Sequence, residues 1–200
     1  VEQLSEVGGG RHLRLRLSGS GHSFGAIFFS TTALRAGVAV GDRVEIAFTP
    51  QINEFRGVKS VQLNLVDIRP DRESRQRSGT GRALYDKFTA GQPLTPEEAA
   101  ALTPDRADFT ALWRYLVAQA KANQVQEDIS CMSRKLARAG SPMPPGRIRI
   151  CLDVLEERGL LTKEVVRERS RIRLCAPKGK KVNLGDSPIL QTLKDQKAGD

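Results

Sequence analysis

Arg11-His12-Leu13-Arg14-Leu15-Arg16-Leu17-Ser18 decides how the first third of this chain is read. Leu13, Leu15 and Leu17 fall on one face of an extended chain, and His12, Arg14 and Arg16 on the other. Period-two alternation marks a half-buried strand. Ser18-Gly19-Ser20-Gly21 then suits a tight turn. His22 to Ser30, rich in aromatics and isoleucine, completes a hairpin.

Working outward, the pattern repeats. Thr31 to Gly37 fits a single helical turn. After Gly41-Asp42, residues Val44, Ile46 and Phe48 oppose Arg43, Glu45 and Ala47. Pro50 is expected to end that strand, because proline cannot donate to a ladder. Gln51 to Phe55 reads as a short strand, Arg56-Gly57 as a turn, and Val58 to Ile68 as the last strand. In it Val61, Leu63 and Leu65 alternate with Gln62 and Asn64. Val66 and Ile68 then take over the apolar role, so a bulge is expected near Leu65-Val66. The opening residues, with Gly8-Gly9-Gly10, read as a flexible lead-in rather than a phosphate cradle. Five short strands with one helical element suit a small closed barrel of the OB type, with an SH3-like barrel as the competing form.

The period changes in the second half. Asp71 to Arg82 has four arginines and no apolar residue, a linker composition. Thr95-Pro96-Glu97-Glu98 is a capping box with proline at the first helical position. Thr103-Pro104 repeats the cap-then-proline pattern. Phe109, Leu112, Trp113, Leu116, Val117 and Ala120 follow helical spacing. Ile129, Met132 and Leu136 mark a second helix, with Gly140 suited to its C-terminal cap. Ile148, Cys151, Leu152 and Leu155 mark a third. Val165 to Leu174 alternates as a basic ribbon. The expected fold is α+β: a five-stranded OB-type barrel over 1–70, a basic linker over 71–82, a mostly helical, winged-helix-like domain over 83–175, and a tail over 176–200.

Composition narrows the function. The chain has 200 residues and a formal net charge of +9. Such a balance points to a polyanionic partner, nucleic acid first. Three cysteines without CxxC or CxxH spacing, and only two histidines, disfavour a disulfide scaffold or a structural zinc site. No phosphate-binding loop, nucleophile elbow or HExxH motif is present. The acidic pairs Glu97-Glu98 and Glu156-Glu157 read as solvated surface. No leader or membrane-length apolar run is read, which suggests a cytoplasmic protein. The start at Val1 suggests a fragment.

The binding signals are clearer. A small barrel grips single strands by combining cations with base-stacking surfaces. The candidate DNA contacts are Arg14, Arg16, Phe24, Asn53, Phe55, Arg56, Lys59 and Gln62. Arg167, Arg169, Arg171 and Arg173 share one face of the ribbon and form a second candidate surface, for phosphate or an acidic partner. The third helix carries Arg147, Arg149 and Arg158 together with Asp153, Glu156 and Glu157. That mixed charge argues against reading a duplex groove.

With these residues in place, the chain resembles the C-terminal part of RecJ-type single-stranded-DNA-specific exonucleases. Gly10-Arg11-His12-Leu13-Arg14-Leu15, the phrase Phe48 to Gly57 containing Asn53-Glu54-Phe55-Arg56-Gly57, Val61-Gln62-Leu63 and Asp67-Ile68 resemble that family's OB domain. Asp108-Phe109 to Tyr115-Leu116, Leu152 to Leu161, Val182-Asn183-Leu184 and Asp186-Ser187-Pro188 resemble the extra C-terminal domain of Firmicutes-type members. The resemblance implies a parent enzyme that degrades single-stranded DNA 5′ to 3′ in recombination and repair. Its Mn2+ or Mg2+ would be held in two upstream catalytic domains. No Asp-His pair occurs in this sequence, so no catalytic residue, metal ligand or cofactor is carried over. The expected role is non-catalytic. The barrel grips single-stranded DNA, and the helical domain is accessory or docks a partner such as a single-strand-binding protein or a helicase.

Overall fold

The opening residues are not a lead-in. Gln3–Val7 forms strand β1, antiparallel to β2, His12–Gly19. Gly8, Gly9 and Gly10 in the connecting turn have φ of 62°, 69° and 81°. L side chains are strained at such angles, so the glycine run marks a tight turn. The structure, a computed structural model, describes residues 1–55, 57–166, 169–175 and 182–198. They fall into two units, Val1–Arg75 and Gln76–Asp200.

In the first unit β3 is His22–Phe28, α1 is Ala33–Ala36, β4 is Val44–Phe55 and β5 is Val58–Pro70. The sheet order is β1-β2-β3-β5-β4. Only β3 and β5 run parallel. Val1 accepts a backbone bond from Gly41 at 2.8 Å, and its amino group donates to the Asp42 carbonyl at 2.9 Å. These bonds tie the chain ahead of β1 to the entry of β4. With a helical turn between β3 and β4, this is the five-stranded OB arrangement. The helical turn expected at Thr31–Gly37 is α1, capped by Thr32 and closed by Gly37.

Two strand expectations need correction. Pro50 does not end its strand. It sits within β4 opposite Leu63, and β4 is an outer strand, where a missing donor on the unpaired side is tolerated. The bulge lies where expected: Phe48 pairs with Leu65, Ala47 with Asp67, and Val66 is the extra residue. Val66 does not turn inward, however. It is 68% exposed, and the buried residues on either side of the bulge are Leu65 and Ile68. They complete a core with Leu13, Leu15, Leu17, Ala26, Val38 and Leu63.

The second half differs more from its sequence reading. Residues 71–82 are not a linker: α2 spans Arg72–Thr89. Its Gly81 allows close helix packing. A Cβ on Gly81 would come 3.0 Å from the Gly146 nitrogen, and one on Gly146 would be 2.8 Å from Leu102 Cδ2. Gly146 belongs to α6, Pro145–Glu157. Between them lie α3, Pro96–Leu102, with the expected Thr95/Glu98 capping box, and α4, Arg106–Gln119. The cap of α4 is not Thr103 but Asp105, in a reciprocal box with Asp108. Strand β6, Gln124–Glu127, was not expected. It is followed by α5, Ile129–Arg138. Strands β7, Leu161–Val166, and β8, Arg169–Leu174, join it in the order β6-β8-β7. The stretch read as a tail contains a 3-10 turn, Leu184–Asp186, and α7, Pro188–Ala198. Leu190 and Leu193 of α7 are buried in the same core as Leu102, Leu112, Ile148 and Ile172.

Candidate nucleic-acid interface

The barrel's outer face follows from register. Arg16 lies opposite Gly25, and Arg14 opposite Ile27. Across the parallel pair, Gly25 adjoins Gln62 and Ile27 adjoins Asn64. Gln62 and Asn64 in turn adjoin Gln51 and Thr49, with Asn53 opposite Ser60. Because Leu13, Leu15 and Leu17 point inward, every one of these residues points outward. The result is two cross-strand rows: Arg16-Gly25-Gln62-Gln51 and Arg14-Ile27-Asn64-Thr49.

The amides on this face form a chain of hydrogen bonds. Asn53 donates to Gln62 (3.3 Å), Gln62 to Asn64 (3.1 Å), and Asn64 to Gln51 (2.8 Å). Amide side chains both donate and accept, so the ladder offers uncharged contacts to base or sugar edges. Arg16 is held by Ser23 at 2.9 Å and by Glu2 at 3.8 Å. The exposed Arg14 makes no ion pair among the described residues.

Gly25 stands in the middle of this surface. Nothing lies within 4 Å of where its Cβ would be, and its φ is not positive. Neither backbone strain nor internal crowding requires a glycine there. An open glycine inside a strand suits close approach of a ligand.

Of the DNA contacts expected from sequence, Arg14, Arg16, Asn53 and Gln62 share this face. Phe24 does not. It is opposite Leu17 on the inward side and packs partly buried against the barrel core. Lys59 is exposed but pairs with Glu54 in the register that points away from Gln62. Arg56 lies outside the described residues, and of Phe55 only the backbone is described. Sequence reasoning missed Gly25, Ile27 and Gln51, which counting by twos across the hairpins identifies. Phe29, read from sequence with Phe24 and Phe28 as an aromatic surface of the second strand, is 51% exposed, and its ring meets His12 edge-on at 5.3 Å. The backbone of Ser30 donates to His12 Nδ1 at 3.0 Å and fixes that imidazole.

In the second unit Arg171 and Arg173 are exposed, and Arg171 pairs with Glu164 across the ribbon at 3.8 Å. Arg167 lies outside the described residues, as does the side chain of Arg169. The third helix of the sequence reading, α6, has buried residues on all sides, including Ile148, Ile150, Cys151, Leu152 and Val154. Arg147 is spent internally on Asp108 (3.3 Å) and on the carbonyls of Ala100 and Ala101. Glu98 and Glu156 are not free surface acids either: they bind Lys87 and Lys163. Lys163 also pairs with Asp153. Burial and the nearby Arg149 charge push the Lys163 ammonium down to about 8. Burial pushes the Cys131 thiol up to about 12. Among the described residues, no group of three His, Cys, Asp or Glu is placed to hold a metal, and no helix is long and apolar enough to cross a membrane.

Residues 1–67 match the family model described as the RecJ OB domain. The match covers β1 to the greater part of β5 and bears out the resemblance over the barrel. No curated protein and no solved structure matches the chain.

Proposed function

We propose that this chain is the non-catalytic, DNA-gripping part of a RecJ-like 5′-to-3′ exonuclease acting in DNA recombination and repair. The single observation that carries the reading is the outer barrel face. Arg14 and Arg16 meet phosphates, the amide ladder meets base or sugar edges, and the open Gly25 lets the strand lie close. The match of this stretch to the RecJ OB domain supports a single strand as the ligand. Hydrolysis belongs to Mn2+- or Mg2+-dependent domains upstream in the same parent chain, in the cytoplasm.

The second unit serves as an accessory module. From α4 onward its elements run helix, strand, helix, helix, then a two-stranded ribbon, which favours a winged-helix-like reading. In a duplex reader the third helix enters the major groove. Here that helix is sequestered by packing, which favours an accessory role over duplex recognition.

The test is fluorescence anisotropy with a labelled single strand and its matching duplex at two salt concentrations. The single strand is expected to bind more tightly. Its affinity should fall by about 0.7 log units per phosphate contact for each log unit of salt. Reversing both charges, Arg14→Glu with Arg16→Glu, is expected to weaken binding at least about tenfold. Equal affinity for duplex, or a double variant that binds as well as the parent, refutes the assignment.

A further inference from the structure

Arg14 and Arg16 share the outer barrel face but are not held alike. Arg14 makes no ion pair among the described residues, whereas Arg16 is seated in a short relay. Its Nε–H donates to Ser23 Oγ at 2.9 Å, and the Ser23 hydroxyl donates in turn to Glu2 Oε2 at 2.8 Å. The Glu2 carboxylate stands 3.8 Å from the same Nε. The fold brings these three residues together from both flanks of β2. Ser20 and Gly21, with φ of 51° and 80°, form the two-residue turn between β2 and β3. Positive φ at both places is the type I′ geometry, and turn type fixes hairpin register. That register sets Gly25 opposite Arg16 and Ser23 opposite Ser18. Ser23 is therefore the diagonal neighbour of Arg16 on the same face, within reach of a long side chain, and Gly25 has no side chain to block the way. On the other flank the Glu2 N–H donates to the Arg16 carbonyl at 2.8 Å.

We infer that Ser23, set by Glu2, is a positioning residue that aims Arg16 at a phosphate of the single strand; the inference rests on the DNA-gripping reading of this face. A guanidinium carries five N–H donors on three nitrogens. The Nε–H is spent on Ser23, and Nη1 and Nη2 make no hydrogen bond among the described residues. Those two nitrogens form the end-on fork that matches two oxygens of one phosphate. Glu2 takes the hydroxyl hydrogen of Ser23, so a lone pair of Oγ is left facing Arg16. Glu2 does not take the fork itself. The Arg16 and Glu2 side chains are 55% and 43% exposed, so water and salt screen their attraction and leave the guanidinium open to an outside anion. A side chain already fixed loses less rotamer freedom on binding than one that swings. Arg14 supplies charge, and Arg16 supplies a fixed fork beside the open Gly25.

The experiment measures the affinity of the full chain for a labelled single strand by anisotropy. It compares Ser23→Ala, Arg16→Ala and the two together, with Ser23→Thr as the conservative variant and each fold checked by circular dichroism. Ser23→Ala is expected to bind about three- to tenfold more weakly. In the Arg16→Ala background the same change is expected to cost nothing further, because Ser23 acts only through Arg16. Ser23→Thr keeps the hydroxyl and suits a strand, and is expected to stay within about twofold of the parent. A Ser23→Ala chain that binds like the parent overturns the inference. So does an equal loss in both backgrounds, which shows that Ser23 does not work through Arg16, and so does a Ser23→Thr chain that loses as much as Ser23→Ala. Arg16→Ala that binds like the parent overturns it as well. The barrel reading is judged separately, by charge reversal at both arginines and by duplex binding, so the two failures are told apart.

Discussion

The two units use charge in opposite ways. Val1–Arg75 holds ten Lys and Arg against eight Asp and Glu, a net of +2, while Gln76–Asp200 holds 22 against 15, a net of +7. Yet the face best arranged for a nucleic acid is on the nearly neutral unit. Part of the second unit's charge is internal: Arg147 binds Asp108, Lys163 binds Asp153, and Lys135 binds Glu127 beneath the Tyr115 hydroxyl. On the barrel, Arg14 makes no ion pair among the described residues, because alternation puts it on a face whose neighbours are amides and a glycine. Net charge therefore points to a class of partner but not to a surface. Placement relative to the core decides which cations stay exposed.

The comparison can be broken at each core. Leu13 is fully buried in the barrel, and Leu13→Ala is expected to cost about 2–5 kcal/mol in that unit. Trp113 lies in the other unit, so its denaturation midpoint should stay put while far-ultraviolet dichroism shows the barrel melting early. A Trp113 midpoint that falls equally would show one shared core. Gly146→Ala is the converse. A Cβ there would sit 2.4 Å from the Gly81 carbonyl oxygen, and relieving such overpacking costs about 1–3 kcal/mol. Here the tryptophan midpoint should drop. If it does not, the close crossing of α2 and α6 is wrong.

Gly25 sharpens the contrast between glycines. Gly25→Val has open space around it, so stability should change by less than about 0.5 kcal/mol. The single strand should nevertheless bind several-fold more weakly, because the side chain fills the place of closest approach. Unimpaired binding would remove Gly25 from the interface. The smallest effect concerns thiols. Cys131 and Cys151 are buried, and burial raises both above the usual thiol range. In the native chain near pH 8, a disulfide-exchange reagent should label Cys175 first and reach the other two only in denaturant. Rapid labelling of all three would mean the second core opens readily.

Much of the barrel was legible in the sequence because a strand's period of two is local. The β2–β3 hairpin, the bulge at Leu65-Val66 and the outward placement of Arg14, Arg16, Asn53 and Gln62 all follow from alternation and turn residues. Phe24 was misassigned because an aromatic was weighed by its chemistry, whereas its register opposite Leu17 places it inward. Strand β1 was missed because Glu6 sits in the inward phase opposite Leu13. Its carboxylate is satisfied there by the Ala33 N–H at 3.0 Å, a partner 27 residues away that no local pattern reveals.

The sequence by itself determined the elements whose signal is local: the leucine-alternating strands, the Thr95 capping box and the amphipathic helix around Leu112. The tertiary structure alone decided that residues 72–89 form a helix, that the C-terminal stretch completes a core, and that the third helix is enclosed. Those outcomes depend on what packs against each segment. Gly81 reads as a flexible residue in sequence. Against Gly146 it is the missing side chain that lets two helix backbones approach, and the energy of that approach exists only once both helices are in place.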